Sequence, residues 1–162
     1  MAGPAHTEDE VASSVIRAEL PAGLASARRA RSAVRRALAV WGVDDPDGDA
    51  ELLASELVAN AAEHAGVGPI GLTLRRVGDA AGERDITCEV TDTSSGQPRP
   101  PHAGPGDERG RGLAIVTALA DASGVRPEPH GKTSWFTLAL HERGDRAHRT
   151  APQAEPEAEA GA

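Results

Sequence analysis

The sequence predicts an α+β fold, a two-layer α/β sandwich in which helices cover one face of a mixed, mostly antiparallel sheet. Two observations support this prediction. The 162 residues are enough for one domain with a sizeable core. Apolar residues recur with helical spacing in some segments and alternate with polar residues in others, which gives the order β, α, α, β, β, loop, α, β, β. Strands and helices that cluster in this way favour a sandwich.

The folded domain is expected to cover residues 13–141. Residues 1–12 are small, polar and acidic, whereas residues 142–162 consist mainly of Ala, Glu, Arg and Pro without apolar periodicity. Chains of that composition bury too little apolar surface to fold, so both ends are expected to be disordered tails.

In the first half of the domain the pattern predicts, in order, a strand over 14–20, a helix over 25–41 and a helix over 47–65. Pro21 and Gly23 close the strand, and a turn containing Pro46 and Gly48 separates the two helices. The acidic residues of that turn suit a helix N-terminus, and Gly66 stops the second helix.

The second half contributes strands over 70–77, 85–91 and 133–140, a helix over 113–122 and a short extended stretch over 124–129. The first two of these strands are joined by a short turn and so form a hairpin. Residues 93–112 contain no large apolar side chain but four prolines and five glycines. Loops of this length within a compact domain are usually functional lids or disordered connections.

Composition excludes several classes of protein. The net charge is -8 and the only aromatic residues are Trp41, Trp135 and Phe136, so the chain lacks both the basic surface and the stacking platform that nucleic-acid binding needs. The acidic N-terminus has no apolar signal segment, and no run approaches the roughly 20 apolar residues of a membrane span. The lone Cys88 forms no intrachain disulfide. A cytoplasmic protein that binds neither nucleic acid nor membrane directly is expected.

Five arginines lie on the first predicted helix, at positions 28, 29, 31, 35 and 36. They form either a solvated helix face or a docking surface for an acidic partner. The sequence leaves both interpretations open.

The second predicted helix carries an unusual polar stripe. Glu56, Asn60 and His64 are spaced four residues apart and therefore share one face of the helix. An ordinary wet helix face is one interpretation. Asn60 favours another, because Asn is a poor helix former and its carboxamide oxygen suits a hard cation such as Mg²⁺, held together with water and ligand phosphates.

Two further segments suit a nucleotide. Asp92 ends a predicted strand, where it can accept a hydrogen bond from an exocyclic amine such as that of adenine, although it can equally initiate a turn. Gly110 and Gly112 lead into the third predicted helix, and the unpaired amides of a helix N-terminus bind phosphate. Arg109 and Arg111 add positive charge for phosphate oxygens.

The segment Gly131, Lys132 and Thr133 resembles the end of a phosphate-binding P-loop but fails its requirements. Six residues separate Gly124 from Gly131 where the motif needs four, and a strand rather than a helix follows. Lys132 is the only lysine among 17 basic residues, and the sequence supports no role for it. Neither a histidine spacing typical of a metal site nor a Ser, His and Asp arrangement stands out.

Four segments, taken in order, resemble the motifs of one family. Residues 56–65 resemble the N box of the histidine-kinase-like (GHKL, Bergerat-fold) ATPases, residues 92–96 and 110–113 resemble the two glycine boxes, and residues 131–136 resemble the closing strand. The resemblance covers roughly residues 14–141. The phrases around Asn60 and Gly112 are most similar to the anti-sigma-factor serine/threonine kinases.

The resemblance implies a role for each residue that it matches. Asn60 would coordinate the Mg²⁺ that bridges the ATP phosphates, and Asp92 would bond the adenine amino group. Thr133 would support the adenine. Glu56 would be the general base that takes the proton of a substrate serine. Gly96, Gly110 and Gly112 would shape the lid around the phosphates. Arg109, Arg111 and Leu113 are expected to belong to the same nucleotide site.

One departure from the family pattern is Ser94, which stands where the first glycine box usually has its first glycine and affects lid geometry more than adenine binding. The resemblance also implies partners: a sigma factor, an anti-anti-sigma protein that is the phosphorylation substrate, and a second copy of the chain in a homodimer. A non-catalytic module is the alternative, in which ATP only orders the lid and thereby gates partner binding.

Overall fold

Three helices and six strands follow one another in the computed structural model, which describes residues 13–64, 68–78, 83–93 and 111–142. The elements are β1 Ser13–Leu20, α1 Ser26–Trp41, β2 Val43–Asp44, α2 Asp49–His64, β3 Ile70–Gly78, β4 Glu83–Asp92, α3 Arg111–Leu119, β5 Ala122–Glu128 and β6 Gly131–Glu142. None of these helices, within the described segments, is long and apolar enough to span a membrane.

The structure contains every element that the pattern predicts, with shifted ends. The third helix begins at Arg111 instead of residue 113 and ends at Leu119, and the extended stretch is part of β5. The sequence prediction missed β2, because two residues are too short to show an alternating pattern. β6 reaches Glu142, and the predicted tails beyond either end of the domain lie outside the described residues.

The strands form one sheet in the order β1–β3–β4–β6–β2, with β5 also paired to β6. β6 is the longest strand, and it pairs with β4 along one edge and with β5 and β2 along the other. Every pair among the described strands is antiparallel. This confirms the predicted α+β sandwich and narrows the expected mixed, mostly antiparallel sheet to an antiparallel one.

Apolar side chains of the sheet face the helices. In an antiparallel pair, directly opposed residues point to the same face. One such row runs across the sheet through Ile16, Leu74, Cys88 and Phe136. Leu74, Cys88 and Phe136 are at most 1% exposed and belong to the same core as the buried Ala, Val and Leu residues of α1 and α2. Burial raises the pKa of the Cys88 thiol well above its ordinary value, so the thiol stays protonated.

The arginines of α1 lie on its solvent side. All five, at positions 28, 29, 31, 35 and 36, are exposed, whereas Ala30, Val34 and Ala37 of the same helix are at most 1% exposed. Arg35 Nη2 bonds Glu51 Oε2 of α2 at 2.6 Å, an exposed pair of the kind that contributes roughly 0–1 kcal/mol. Gly42 ends the helix with φ 66°, a conformation that glycine adopts without strain.

Asp45 holds the start of α2. Its Oδ2 accepts hydrogen bonds from the backbone N–H groups of Ala50 at 3.1 Å and Glu51 at 3.3 Å, two of the amides that a helix N-terminus leaves unpaired. Partial burial raises the pKa of the Asp45 carboxyl above its ordinary value, against the opposing effect of these hydrogen bonds. Asp45 in this acidic turn therefore binds the N-terminal amides of α2, as the sequence predicts for an acidic residue at this place.

Candidate nucleotide site

The polar stripe of α2 lies at the helix surface. Glu56 and Asn60 are half-buried and His64 is exposed, whereas Leu57 and Ala61 of the same helix are buried in the core. The Asn60 carboxamide forms no hydrogen bond with any residue in the described part of the chain. Its oxygen is therefore available to a ligand.

The Glu56 carboxylate lies against the first turn of α3. A Cβ atom placed on Gly112 would be 2.5 Å from Glu56 Oε2 and 3.5 Å from Glu56 Cδ. Only a glycine at this position allows the carboxylate to come so close. The N-terminal end of a helix carries partial positive charge, which favours a carboxylate there. The structure thus brings together Glu56 and Gly112, which are 56 positions apart in sequence.

Asp92, the last residue of β4, is paired with Lys132 of β6. The strand register places the two residues directly opposite each other, and Asp92 Oδ2 is 3.9 Å from Lys132 Nζ. Both side chains are deeply buried, with 1% and 5% of their surface exposed. Asp92 shares its sheet face with Val90 and Cys88, two and four residues earlier, so the pair points to the side covered by the helices.

Two glycines let three segments meet at this pair. A Cβ atom on Gly131 would collide with the backbone carbonyl of Asp92, and a Cβ atom on Gly68 would be 2.7 Å from Thr93 Oγ1. Gly68 follows α2 by a few residues, so the end of α2 and the end of β4 lie at the same end of the sandwich. Asn60, on the last turns of α2, and Asp92 are therefore placed at one end of the domain.

Thr133 lies on the other face of the sheet. Its Oγ1 is 2.9 Å from Thr91 Oγ1 and donates to Glu128 Oε1 at 3.0 Å. Successive residues of a strand point to opposite faces, so Thr133 faces away from the helices while its neighbour Lys132 faces toward them. This register does not favour a Thr133 side chain that touches the same base as Asp92, and any support from Thr133 would be indirect.

Lys132 is the functional candidate to which the sequence assigned no role. A signal was present, because Phe136 is an obvious core residue and Lys132 precedes it by four positions, which places both side chains on one face of a strand. The pairing of Lys132 with Asp92 was not readable, since it depends on the register between β4 and β6.

The remaining predicted residues fall into two groups. Arg111 is exposed at the start of α3, and Leu113 packs partly buried against the core. Gly96, Arg109 and Gly110, together with Ser94 of the first glycine box, lie outside the described residues. Their roles in a lid and in phosphate binding stay predictions.

The residues present are compatible with Mg²⁺ brought by a nucleotide. Among the described residues, no group of three or more His, Cys, Asp or Glu side chains forms a metal site of its own. Mg²⁺ is commonly held by one or two protein oxygens, several waters and substrate phosphates. The half-buried Asn60 carboxamide, without a described hydrogen-bond partner, offers one such oxygen.

Comparison with known families agrees with this geometry. The family model of the histidine kinase-like ATPase domain matches residues 20–158 of the chain. The chain therefore belongs to the histidine kinase-like ATPase family. A comparison with curated proteins finds no match. The family confirms the resemblance seen in the four motifs at the level of the ATPase domain, and it suggests that the chain binds ATP.

Proposed function

We propose that the protein binds ATP with Mg²⁺ and acts as an anti-sigma-factor-type serine/threonine protein kinase that regulates transcription by partner switching. The observation that carries this proposal is the contact between the Glu56 carboxylate and Gly112. Glu56 lies one helical turn before Asn60 on α2. The start of α3 suits phosphate, because amides at a helix N-terminus are unpaired and the helix dipole favours anions. A carboxylate would then stand beside the phosphates and their metal ion.

Each site residue has an assigned task in this proposal. Asn60 holds Mg²⁺, which neutralises phosphate charge when bound. Asp92 accepts a hydrogen bond from the 6-amino group of adenine. The phosphates lie at the start of α3 and under the predicted lid, against Gly96, Arg109, Gly110, Arg111, Gly112 and Leu113. Thr133 acts only through its neighbours on β4 and β5.

Glu56 is the proposed general base. Its carboxylate accepts no hydrogen bond from any described residue, so its lone pairs are available for the hydroxyl proton of a serine on the substrate protein. A positioned general base contributes roughly 10²–10⁴-fold to a rate. Orientation and charge stabilisation at the phosphates would supply most of the remaining acceleration.

A second candidate function is a non-catalytic ATP-binding module whose lid gates partner binding. The same contact supports it, because the Glu56 carboxylate lies against Gly112 in the first turn of α3, immediately after the predicted lid. In that case Glu56 is a structural residue, and ATP acts by ordering residues 93–110 without phosphoryl transfer.

The proposed partners are a sigma factor and an anti-anti-sigma protein that is the substrate. The exposed arginines of α1 are a candidate docking surface for whichever of these is acidic. A cytoplasmic location and a homodimer complete the proposal. Swapping Arg28 and Arg29 for Glu is expected to weaken binding of an acidic partner without altering ATP affinity.

The decisive experiment separates binding from transfer. Radiolabelled ATP, Mg²⁺ and candidate anti-anti-sigma proteins are incubated with wild type, Glu56→Gln and the matched control Glu63→Gln, which removes an exposed carboxylate from the same helix. We expect serine labelling to fall about 10²–10⁴-fold in Glu56→Gln only. Equal labelling by all three proteins would eliminate Glu56 as the base.

Calorimetry supplies the binding half of the experiment. Wild type is expected to bind ATP in the presence of Mg²⁺, Glu56→Gln is expected to bind it similarly, and Asn60→Ala is expected to lose the Mg²⁺-dependent part of the affinity. ATP binding without labelling of any candidate would favour the regulatory module. Absence of ATP binding by wild type would refute both candidate functions.

A further inference from the structure

The buried Asp92–Lys132 pair calls for an explanation beyond folding. Removing two charges from water costs several kcal/mol per ion, and their mutual attraction repays this only with good geometry and further hydrogen bonds. Here both side chains are at most 5% exposed, and the ammonium belongs to the only lysine among 17 basic residues. A well-packed apolar pair is often at least as stable as a buried ion pair.

The geometry of the pair leaves the hydrogen-bond donors of the Lys132 ammonium unused by the described residues. The separation of 3.9 Å between Asp92 Oδ2 and Lys132 Nζ exceeds the 2.7–3.2 Å of an N–H···O hydrogen bond. The ammonium therefore compensates the carboxylate by charge, and it forms no hydrogen bond with any other residue that the structure describes. A lysine ammonium has three donors on a flexible stem, whereas an arginine in this place would close on the carboxylate through a rigid fork.

A hydrogen-bond acceptor beside a donor matches one edge of adenine. The six-membered ring of adenine presents an amino donor at C6 next to an acceptor nitrogen at position 1. Guanine and hypoxanthine reverse this order, with a carbonyl oxygen at C6 and an N–H at position 1. A carboxylate and an ammonium held side by side on neighbouring strands therefore distinguish the two classes of purine, because a mismatched base leaves buried polar groups unpaired.

We propose that Lys132 is a base-specificity residue of the nucleotide site, whose ammonium donates to the position 1 nitrogen of adenine while the Asp92 carboxylate accepts from the 6-amino group. This inference rests on the proposed ATP binding and on the assignment of Asp92 to the adenine amine. In this proposal both charged groups of the pair are needed, because each binds one atom of the adenine edge. Gly131, next to Lys132, allows β6 to approach the backbone carbonyl of Asp92, where a side chain would collide.

The test compares ATP with 1-deaza-ATP, in which a C–H group replaces the position 1 nitrogen, by calorimetry on the full chain with Mg²⁺. A hydrogen bond to a charged group corresponds to roughly 10- to 100-fold in affinity. Wild type is expected to bind ATP more tightly than 1-deaza-ATP by that factor. As a control, 7-deaza-ATP keeps the edge read by the pair and should bind within about threefold of ATP.

A variant then assigns the discrimination to Lys132. Lys132→Met keeps the length of the stem and removes the donors, and it should bind ATP and 1-deaza-ATP with a ratio near 1. Lys132→Arg retains donors, but its fork would close on the Asp92 carboxylate, so it should also lose most of the preference for ATP over 1-deaza-ATP. Circular dichroism and thermal melting check that each variant is folded.

Three results would overturn the inference, and they are distinguishable. Wild type that binds ATP and 1-deaza-ATP equally shows that Lys132 does not read the base, and this comparison needs no variant to fold. Lys132→Met that keeps the wild-type ratio places the discrimination elsewhere. Wild type that binds no ATP at all refutes the proposed function itself, and with it the inference.

Discussion

Substituting Gly112 by alanine separates the stability of α3 from the position of the Glu56 carboxylate. The new Cβ atom would be 2.5 Å from Glu56 Oε2, and ordinary contact begins at 3.4 Å, so the carboxylate must move by about 1 Å. The obstructing atom is the end of a flexible side chain, which shifts at a cost of roughly 0.5–1.5 kcal/mol. Alanine is favoured over glycine in a helix by up to about 1 kcal/mol, which offsets that cost.

We therefore expect Gly112→Ala to change the free energy of unfolding by less than about 1 kcal/mol in urea titrations. Phosphoryl transfer is far more sensitive, because a displacement of about 1 Å of a catalytic group lowers a rate by about 10²-fold. Single-turnover labelling of the substrate serine measures this rate. The double variant with Glu56→Gln should show no further loss from Gly112→Ala, since the displaced group is no longer a base.

Two results would refute this reasoning. Gly112→Ala with the wild-type transfer rate would show that the position of the Glu56 carboxylate does not matter for catalysis. A loss of several kcal/mol in stability would show that the contact between α2 and α3 is rigid and that the carboxylate has nowhere to move.

Three further predictions follow from the described contacts. Gly131→Ala should destabilise the fold by about 2–4 kcal/mol in urea titrations, because its Cβ atom would meet the backbone carbonyl of Asp92, which cannot move aside as a flexible side chain can. A variant with stability within about 0.5 kcal/mol of wild type would contradict the close approach of the two backbones. Cys88, fully buried with a raised pKa, should resist a thiol reagent at pH 8 and react only in denaturant, and rapid labelling of folded protein would be inconsistent with its burial. The hydrogen bond from Arg126 lowers the pKa of Glu128, so the Glu128 carboxylate contributes stability above its unfolded pKa, and this contribution is lost as pH falls through its folded pKa. Glu128→Gln should therefore be slightly less stable than wild type at pH 7, and the difference should vanish in acid. A difference in stability that does not depend on pH would argue against the ionic contribution.

Local pattern was sufficient to predict every described element of this fold except β2. Amphipathic spacing identified the helices that became α1 and α2, because a helix of 16 residues repeats its buried stripe several times. Alternation of apolar and polar residues identified β3 and β4 for the same reason, and an apolar run identified β6. The sequence prediction missed β2, because its two residues are too few to show an alternating pattern. β2 is recognisable only from its pairing with the C-terminal end of β6.

The site residues also fall into those that local spacing identified and those that only the strand register could identify. Asn60 and Glu56 were recognisable because their spacing on one helix is a local property. Thr133 and Lys132 are neighbours, and which of them faces Asp92 depends on the parity of β6 against its partner strands. The sequence prediction chose Thr133 from the resemblance, whereas the structure places Lys132 beside Asp92.

By itself, then, the sequence determined the fold class of the domain, the family motifs and the polar stripe on α2. Short-range periodicity and the order of motifs can be read from the sequence without knowing which residues are neighbours in space. The tertiary structure alone decided that the Glu56 carboxylate meets Gly112 and that the Asp92 carboxylate meets Lys132. Both contacts join residues about 40 or more positions apart, and their distances are set by strand register and by glycines that permit close approach, neither of which can be read from one segment at a time.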